Sequence, residues 1–224
     1  MWEEEKVDQK PTRSERVVDL SFKIKCVCLP VDHTNVLSDS IGELLPWLET
    51  EPLAGLHLIH VAGSQNGWIC PEGPDELVYP SRRTRLVLRV PVERIQDARR
   101  LSGQHIQVGE HMLEIGEATE KPIKPSDILF SRHILTDMDE NNFLQWVAET
   151  LHNHGLRFKK LLPGKETNLK GPNGLITTRS LMVADLELSD SLTLQEIGIG
   201  EGRHFGCGLF IHHKGIKAVN PDNI

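Results

Sequence analysis

The segment LQEIGIGEGRHFGCGLFIHHK, residues 194–214, decides how the whole chain is interpreted. Five glycines fall between positions 198 and 208, and the apolar residues 209–211 follow them at once. Because glycine has no Cβ, such a segment turns sharply and lets a ligand approach its backbone closely. The spacing is not that of a GxGxxG dinucleotide motif, since a strand and not a helix is predicted after the glycines. The segment predicts either a structural loop before a final strand or a backbone surface for a ligand.

Basic residues accompany these glycines. Arg203 and His204 lie inside the glycine-rich loop, and His212, His213 and Lys214 follow the predicted strand. Backbone amides beside cations form a surface suited to a phosphate backbone. The loop is therefore consistent with recognition of a nucleic acid as well as with a purely structural role.

Composition places the chain among ordinary globular proteins of one or two domains. It has 224 residues, of which 38% are hydrophobic and 25% charged. No apolar run approaches the roughly 20 residues needed to span a bilayer. Residues 1–16 are charged and lack a hydrophobic core, which predicts a disordered tail and not a signal peptide.

Neither the cysteines nor the histidines form a metal-binding pattern. Cysteines 26, 28, 70 and 207 lack CxxC spacing, so we expect reduced thiols in a reducing cytoplasm. His57 and His60 are three apart on a predicted strand, which would put them on opposite faces of the sheet. We predict no metal site and no cofactor.

Charge is distributed unevenly along the sequence. The net charge of −7 argues against nonspecific nucleic-acid binding. Residues 82–100 nevertheless contain seven arginines and two acidic residues, and residues 157–179 contain six basic residues and one acidic residue. Acidic residues cluster at 43–51 and 137–149. This asymmetry is typical of a basic face on an acidic body, although solvated charged surfaces would give the same counts.

Hydrophobic periodicity predicts an α+β fold made of two tandem ferredoxin-like (RRM-like, βαββαβ) domains. The predicted domains are residues 17–118 and 119–224, after a tail at 1–16, with the glycine-rich loop at 198–208 in the second domain. In the first half, we predict strands at 17–28, 55–62 and 84–90, helices at 33–47 and 92–101, and a hairpin at 104–116. After a linker at 118–126, we predict strands at 128–135, 156–162, 180–186 and 208–212, and helices at 140–152 and 192–197.

Four stretches of the chain resemble a known family. They are the pattern G-x-G-x-G-R-x-x-G-C-G at 198–208, LPVDHTNVLSDSIGELLPWL at 29–48, SRRTRLVLRVP at 81–91 and TTRSLMVADL at 177–186. Together they resemble the CRISPR-associated repeat-processing endoribonucleases of the repeat-associated RNA-binding (RAMP) superfamily, in their compact type I form. The resemblance implies tandem ferredoxin-like domains and a prokaryotic, cytoplasmic protein. It also implies stem-loop repeat RNA as substrate, other subunits of a type I or transposon-associated effector complex as partners, and no membrane partner.

The resemblance places the catalytic base at His33, in the piece P-V-D-H at the start of the first predicted helix. The field of a helix N-terminus favours a neutral imidazole, which can accept a proton from a 2′-hydroxyl without a metal ion. Ser38 lies one to two turns further on and is the expected hydroxyl partner. The alternatives are a capping or packing histidine and an ordinary helix-surface serine.

The same resemblance and the local charge predict a set of RNA contacts. Arginine forks bind phosphate with two parallel hydrogen bonds, and lysines in a hairpin can contact a stem or its flanking strand. The predicted RNA-binding residues are Arg82, Arg83, Arg85, Lys159, Lys160, Lys165, Lys170, Arg179, Ser180, Gly200, Gly202, Arg203, His204 and Lys214.

Three hypotheses for function follow. The first is a metal-independent endoribonuclease that cuts CRISPR precursor RNA within each repeat, leaves a 2′,3′-cyclic phosphate and keeps the product in an interference complex. The second is a non-catalytic subunit that binds repeat RNA while another enzyme cuts. The third is a ferredoxin-like module for a small molecule or a protein, which the negative net charge favours.

Overall fold

The structure is a computed structural model that describes residues 12–61, 73 and 76–213. Residues 1–11 of the predicted tail, Cys70 and Lys214 lie outside the described residues. The end of the predicted tail is ordered, because the Ser14 hydroxyl donates to Glu196 at 2.6 Å and Arg16 pairs with the same carboxylate at 3.3 Å.

The N-terminal half of the chain forms an antiparallel sheet with helices on one face. Its strands and helices are β1 (Val17–Lys25), β2 (Leu29–Pro30), α1 (Thr34–Leu44), β3 (Gly55–His57), β4 (Leu77–Val78), β5 (Arg85–Pro91), α2 (Ile95–Ala98), β6 (His105–Val108) and β7 (His111–Pro122). The strands of the main sheet are arranged in the order β3-β5-β1-β7-β6, and β2 pairs separately with β4.

The C-terminal half repeats this plan. It contains β8 (Ile128–Leu135), α3 (Glu140–Asn153), β9 (Lys160–Gly171), β10 (Gly174–Ala184), α4 (Leu188–Ile197) and β11 (Ile211–His212). The sheet order is β11-β8-β10-β9. Numbered within its own half, each sheet has its four main strands in the order 4-1-3-2, which is the ferredoxin-like arrangement. The predicted α+β fold with two ferredoxin-like units is therefore confirmed, while the domain boundaries stay a prediction.

Alternating apolar residues explain why these segments form half-buried strands. Leu86, Leu88 and Val90 of β5 are completely buried and pack with Leu20 and Phe22 of β1 against the helices. Each Å² of apolar surface removed from water stabilises the fold by about 25 cal/mol, so the packing of the apolar face of the sheet against the helices is strongly favourable. The second sheet packs in the same way on Phe143, Val147 and Leu151, which form one face of α3.

Several predicted boundaries were wrong. Strand β7 continues to Pro122 and pairs with β1, so the predicted linker at 118–126 is partly strand. The basic stretch between the predicted strands at 156–162 and 180–186 is itself strand, because β9 and β10 form one long hairpin. Most side chains at the end of this hairpin are exposed on both faces, so the sequence there has no apolar alternation to reveal a strand.

Strand β3 is also shorter than predicted. It ends at His57, where the chain leaves the sheet toward His33 at the N-terminus of α1. The final strand covers only Ile211–His212, because Gly208 has φ +68° and its amide donates to the carbonyl of His133 at 2.7 Å. These two departures bring the glycine-rich loop and the end of β3 together.

A buried arginine connects the two units. Arg89 in β5 is 1% exposed, and its guanidinium donates to both carboxylate oxygens of Asp19 at 2.8 and 3.0 Å. Its remaining donors reach across to the carbonyl oxygens of Gln195 and Phe210, each at 2.8 Å. The Arg89 charge, acting against burial, holds the pKa of Asp19 well below its usual range. Arg89 is therefore a structural ion-pair residue between the two sheets.

The cysteines within the described residues are unpaired. Cys26, Cys28 and Cys207 are free thiols, and burial raises the pKa of Cys207 to about 12. Within the described residues, no helix combines the length and the apolar character needed to cross a membrane.

The Arg89 interaction predicts a large stability effect. Arg89→Ala leaves the Asp19 carboxylate and two carbonyls buried without donors, so we expect a loss of about 3–5 kcal/mol in the free energy of unfolding. Equilibrium urea unfolding measures this loss. Arg82→Ala, at an exposed residue just before the same strand, is the control and should change the free energy by less than about 0.5 kcal/mol. Equal stability of the two variants would contradict the structural role of Arg89.

Candidate active site

A groove lies where β3 and β5 of the first sheet face β8 and the glycine-rich loop of the second. Its volume is about 350 Å³. Arg83, Arg85 and Arg132 line it. Among the described residues of its lining, Asp19 is the one acidic residue, and it is already paired with Arg89. The groove therefore has an excess of positive charge, which is the electrostatic requirement for holding a phosphate backbone.

The glycine-rich loop forms one wall of this groove and contacts both sheets. Gly206 has φ +87°, and a Cβ built on it would lie 3.0 Å from the carbonyl oxygen of Leu56 and 2.8 Å from the Leu58 side chain. The Gly208 amide bonds to His133 of β8. Glycine is required at position 206 because left-handed backbone and close approach to β3 coincide, and at position 208 because a Cβ would collide with the Ile199 carbonyl group. The glycine-rich segment is thus a structural loop before the final strand, and it also forms part of the groove.

His33, the predicted catalytic base, is buried away from the groove. It is 3% exposed, its Nε2 accepts the Ile59 amide proton at 3.0 Å, and its Nδ1 lies 2.9 Å from the carbonyl oxygen of Pro30. Since Nε2 accepts, Nδ1 carries the proton and donates to Pro30. Burial lowers the pKa of His33 and favours the neutral ring, and both ring nitrogens are engaged with backbone groups. His33 has the geometry of a packing and positioning histidine.

Ser38, the predicted hydroxyl partner, is also used inside the molecule. It is 6% exposed and donates to the carbonyl oxygen of His204 at 3.0 Å, which ties α1 to the glycine-rich loop. Beside it is a second cavity of about 540 Å³ whose lining includes Asp39, Glu43 and Glu49. Three carboxylates repel phosphate, so this cavity is the less favourable of the two for RNA.

Arg203 connects the two units and does not face the groove. Its guanidinium donates to the carbonyl oxygens of Leu53 at 2.9 Å and Ala54 at 2.8 Å in the first unit. Two further bonds go to Glu196 and Ile197 in its own unit, at 3.0 and 2.7 Å. Burial lowers its pKa to about 10. With four of its five N–H groups bonded to backbone, Arg203 is structural, and its predicted RNA contact is not retained.

The other predicted RNA-binding residues within the described part of the chain fall into three groups. Arg82 and Arg83 are exposed and Arg85 is half-buried, all three at the mouth of the groove or entering it. Arg179 instead pairs with Glu140 and Glu166 at 3.5 and 3.1 Å, which occupies it within its own unit. The remaining residues lie away from the groove lining. Four exposed lysines lie before or on the β9 hairpin, at positions 159, 160, 165 and 170. Ser180 is half-buried on β10, and Gly200, Gly202 and His204 are on the glycine-rich loop.

The sequence analysis missed four groove residues, which are His57, His60, Arg132 and His133. His57 and His60 were assigned to opposite faces because a continuous strand was predicted through both. Since β3 ends at His57, the following turn brings His60 to the same groove. Arg132 is exposed on β8, with Cζ 5.9 Å from the Phe130 ring centroid. No charge cluster in the sequence indicated this single arginine.

In the described ranges, no group of three or more histidine, cysteine, aspartate or glutamate side chains is suitably placed to hold a metal ion. Neutral histidine bases beside guanidinium groups are instead suited to acid–base chemistry on a phosphodiester.

Comparisons with known proteins agree with the fold. A family model described as "Cas6 Crispr" matches residues 18–215. The CRISPR-associated endonuclease Cas6 of Myxococcus xanthus (strain DK1622) is 26% identical over 196 residues, which cover 87% of this chain and 80% of that relative.

Solved structures extend the similarity in fold. One described as CRISPR associated protein Cas6 has a TM-score of 0.60 at 15% identity and covers 89% of this chain and 99% of its own. Another, described as a Cas6-related gene product from Pyrococcus furiosus, has a TM-score of 0.59 at 15% identity, covering 87% of this chain and 98% of its own. At this level of identity the two structures establish a shared fold.

The contact between the glycine-rich loop and β3 predicts opposite effects for two glycine substitutions. Gly206→Ala should destabilise the protein by about 2 kcal/mol or more, because a Cβ at φ +87° is strained and meets Leu56 and Leu58. Gly42→Ala in α1 meets nothing within 4 Å and should stabilise the protein by up to about 1 kcal/mol. Thermal unfolding of both variants tests the account, and a Gly206→Ala variant as stable as the wild type would refute it.

Proposed function

Because the chain belongs to the Cas6 family of CRISPR-associated endoribonucleases, we propose that it cleaves CRISPR precursor transcripts within their repeats. The reaction needs no metal ion and leaves a 2′,3′-cyclic phosphate on the upstream product. The protein then keeps the mature guide RNA bound and delivers it to the other subunits of an interference complex. The observation that carries this proposal is the groove in which a histidine cluster and Arg83, Arg85 and Arg132 lie together.

The chemistry fits a site of this composition. Cleavage of RNA beside its own 2′-hydroxyl requires a base for that proton, cations for the charge on the phosphorus oxygens and a proton for the leaving 5′-oxygen. A neutral imidazole supplies the first requirement and guanidinium groups the second. Burial and the charge of Arg132 lower the pKa of His60 and of His133, so these rings are neutral at physiological pH.

Charge also supports an RNA substrate over a small molecule. Within the described part of the chain, Arg83 and Arg132 have no carboxylate partner, whereas Arg94, Arg99 and Arg100 on the helix side of the sheet each have at least one. Unpaired guanidinium groups are therefore concentrated at the groove. We propose that Arg82, Arg83 and Arg85 contact the phosphates next to the cleavage site, and that the lysines of the β9 hairpin contact RNA further away.

Cleavage in the presence of EDTA tests the activity directly. Labelled RNA carrying the repeat of the encoding genome should be cut once per repeat, and the upstream product should resist 3′ ligation until its cyclic phosphate is removed by acid and phosphatase. The bound product should co-elute with the protein in size-exclusion chromatography. Tight binding without cleavage would favour the non-catalytic subunit, and loss of cleavage in EDTA with recovery on adding Mg²⁺ would contradict metal independence.

The arginine cluster predicts a change in salt dependence. Replacing Arg82, Arg83 and Arg85 with alanine should reduce the slope of log affinity against log salt by about 2, at roughly 0.7 per phosphate contact on single-stranded RNA. The matched control replaces Arg94, Arg99 and Arg100, which removes the same charge from the helix side of the sheet. Binding measured at several salt concentrations compares the two triple variants. Equal slopes would show that the groove does not contact the RNA backbone.

A further inference from the structure

His60 differs from the other histidines near the groove in its accessibility. It is exposed, it lines the groove, and among the described residues neither of its ring nitrogens has a hydrogen-bond partner. The residue before it, Ile59, is buried and donates its amide proton to Nε2 of His33 at 3.0 Å. An open imidazole is thus attached to a segment of backbone that a buried imidazole holds in place.

We infer that His60 is the general base that takes the proton of the attacking 2′-hydroxyl, that Arg132 stabilises the charge on the phosphate, and that His33 is a positioning residue acting through Ile59. The inference rests on the proposed function and deepens it by naming the residues that act on the RNA. It moves the base from His33 to His60, 27 positions along the chain.

The other two histidines in the groove are less suited to this step. Nε2 of His57 is buried without a hydrogen bond, 3.8 Å from the Asp19 carboxylate. Nδ1 of His133 is 3.1 Å from the Thr178 hydroxyl, and burial together with the Arg132 charge lowers the pKa of His133 to about 4. A base must reach the substrate proton within hydrogen-bond distance, and His60 alone of the three is exposed.

The reaction step balances with the groups named. His60 accepts the 2′-hydroxyl proton while the 2′-oxygen forms a bond to phosphorus. The bond between phosphorus and the 5′-oxygen breaks, and the leaving oxygen takes a proton from water. The hydroxide that remains takes the proton from the His60 imidazolium, which returns the site to its starting state. The products are a 2′,3′-cyclic phosphate and a 5′-hydroxyl, with no change of oxidation state.

The surroundings of His60 determine how the rate should depend on pH. Burial, followed by the Arg132 charge, lowers the pKa of His60 below its usual value of 6.5. The rate should therefore be constant at neutral pH and fall only as the pH drops through this lowered value and the imidazole becomes protonated. The charged and titratable groups that face the groove are Asp19 on β1, His57 on β3, Arg83 and Arg85 beside and on β5, and Arg132 and His133 on β8.

His33 can act through structure without touching RNA. Its two hydrogen bonds join the carbonyl of Pro30 to the amide of Ile59, so the ring sets the distance between β2 and the segment that leaves β3. Loss of these bonds would release the backbone that carries His60. A misplacement of the base by about 1 Å can cost roughly 100-fold in rate. A variant of His33 is therefore expected to lose activity although the residue is not the base.

Single-turnover cleavage of repeat RNA by histidine variants tests the inference. With protein in excess, His60→Ala should lower the cleavage rate by about 100-fold or more. Its affinity for RNA should stay within about threefold of wild type, because a base contributes to rate and little to ground-state binding. The control is His105→Ala, an exposed histidine on β6 at the opposite edge of the sheet, which should leave the rate unchanged.

A second set of measurements separates the base from the positioning residue. Added imidazole should restore part of the rate of His60→Ala and none of that of His33→Ala. His33→Gln can still accept from Ile59 or donate to Pro30, so it should be more active than His33→Ala, although glutamine cannot take up a proton. Arg132→Ala should lower the rate at neutral pH and move its acidic decline to higher pH.

The outcomes that would overturn the inference are distinct from failure of the proposed function. A wild type that cleaves while His60→Ala cleaves equally well contradicts the assignment of His60 alone. Rescue of His33→Ala by imidazole, with His33→Gln as inactive as His33→Ala, would make His33 the base. A wild type that binds repeat RNA and never cuts it contradicts the proposed function and this inference together.

Discussion

Two guanidinium groups, one buried and one half-buried, each donate to backbone carbonyls of the opposite unit and hold the structure together. Arg89 of the first unit bonds to Gln195 and Phe210, and Arg203 of the second bonds to Leu53 and Ala54. A buried charge is costly unless its hydrogen bonds are satisfied, so both arginines constrain the units to one arrangement. The glycine-rich loop can then lie against β3 because its backbone fills the narrow space that remains.

The groove follows from that arrangement. With the two sheets held together, the arginines before and on β5 line the same groove as Arg132 of β8, and the segment after β3 adds His60. The acidic residues of α1 lie beside a different cavity, near Ser38 and His204. A chain with a net charge of −7 can thus present a cationic surface to RNA, because location and not the sum determines the local potential.

Sequence patterns predicted the fold well and the site only in part. The two βαββαβ units could be predicted because half-buried strands such as β1 alternate apolar and polar residues over most of their length. The structural roles of His33 and Arg203 could not be predicted, because a hydrogen bond to a backbone group far away in the sequence leaves no pattern in the neighbouring residues. His60 was missed for a related reason, because β3 ends at His57 and the following segment bonds through Ile59 to the distant His33, which local sequence does not indicate.

The most direct test of the central claim, that the surface between the two sheets receives the RNA, is photo-cross-linking. Repeat RNA would carry 4-thiouridine at the cleavage site and a 2′-deoxy group that prevents cleavage. After the protein binds this RNA and the complex is irradiated, mass spectrometry identifies the cross-linked peptides. Our account predicts cross-links to the peptides that contain residues 57–60, 82–85 and 130–133, which line or flank the groove. Cross-links confined to residues 38–49 beside the acidic cavity would contradict it.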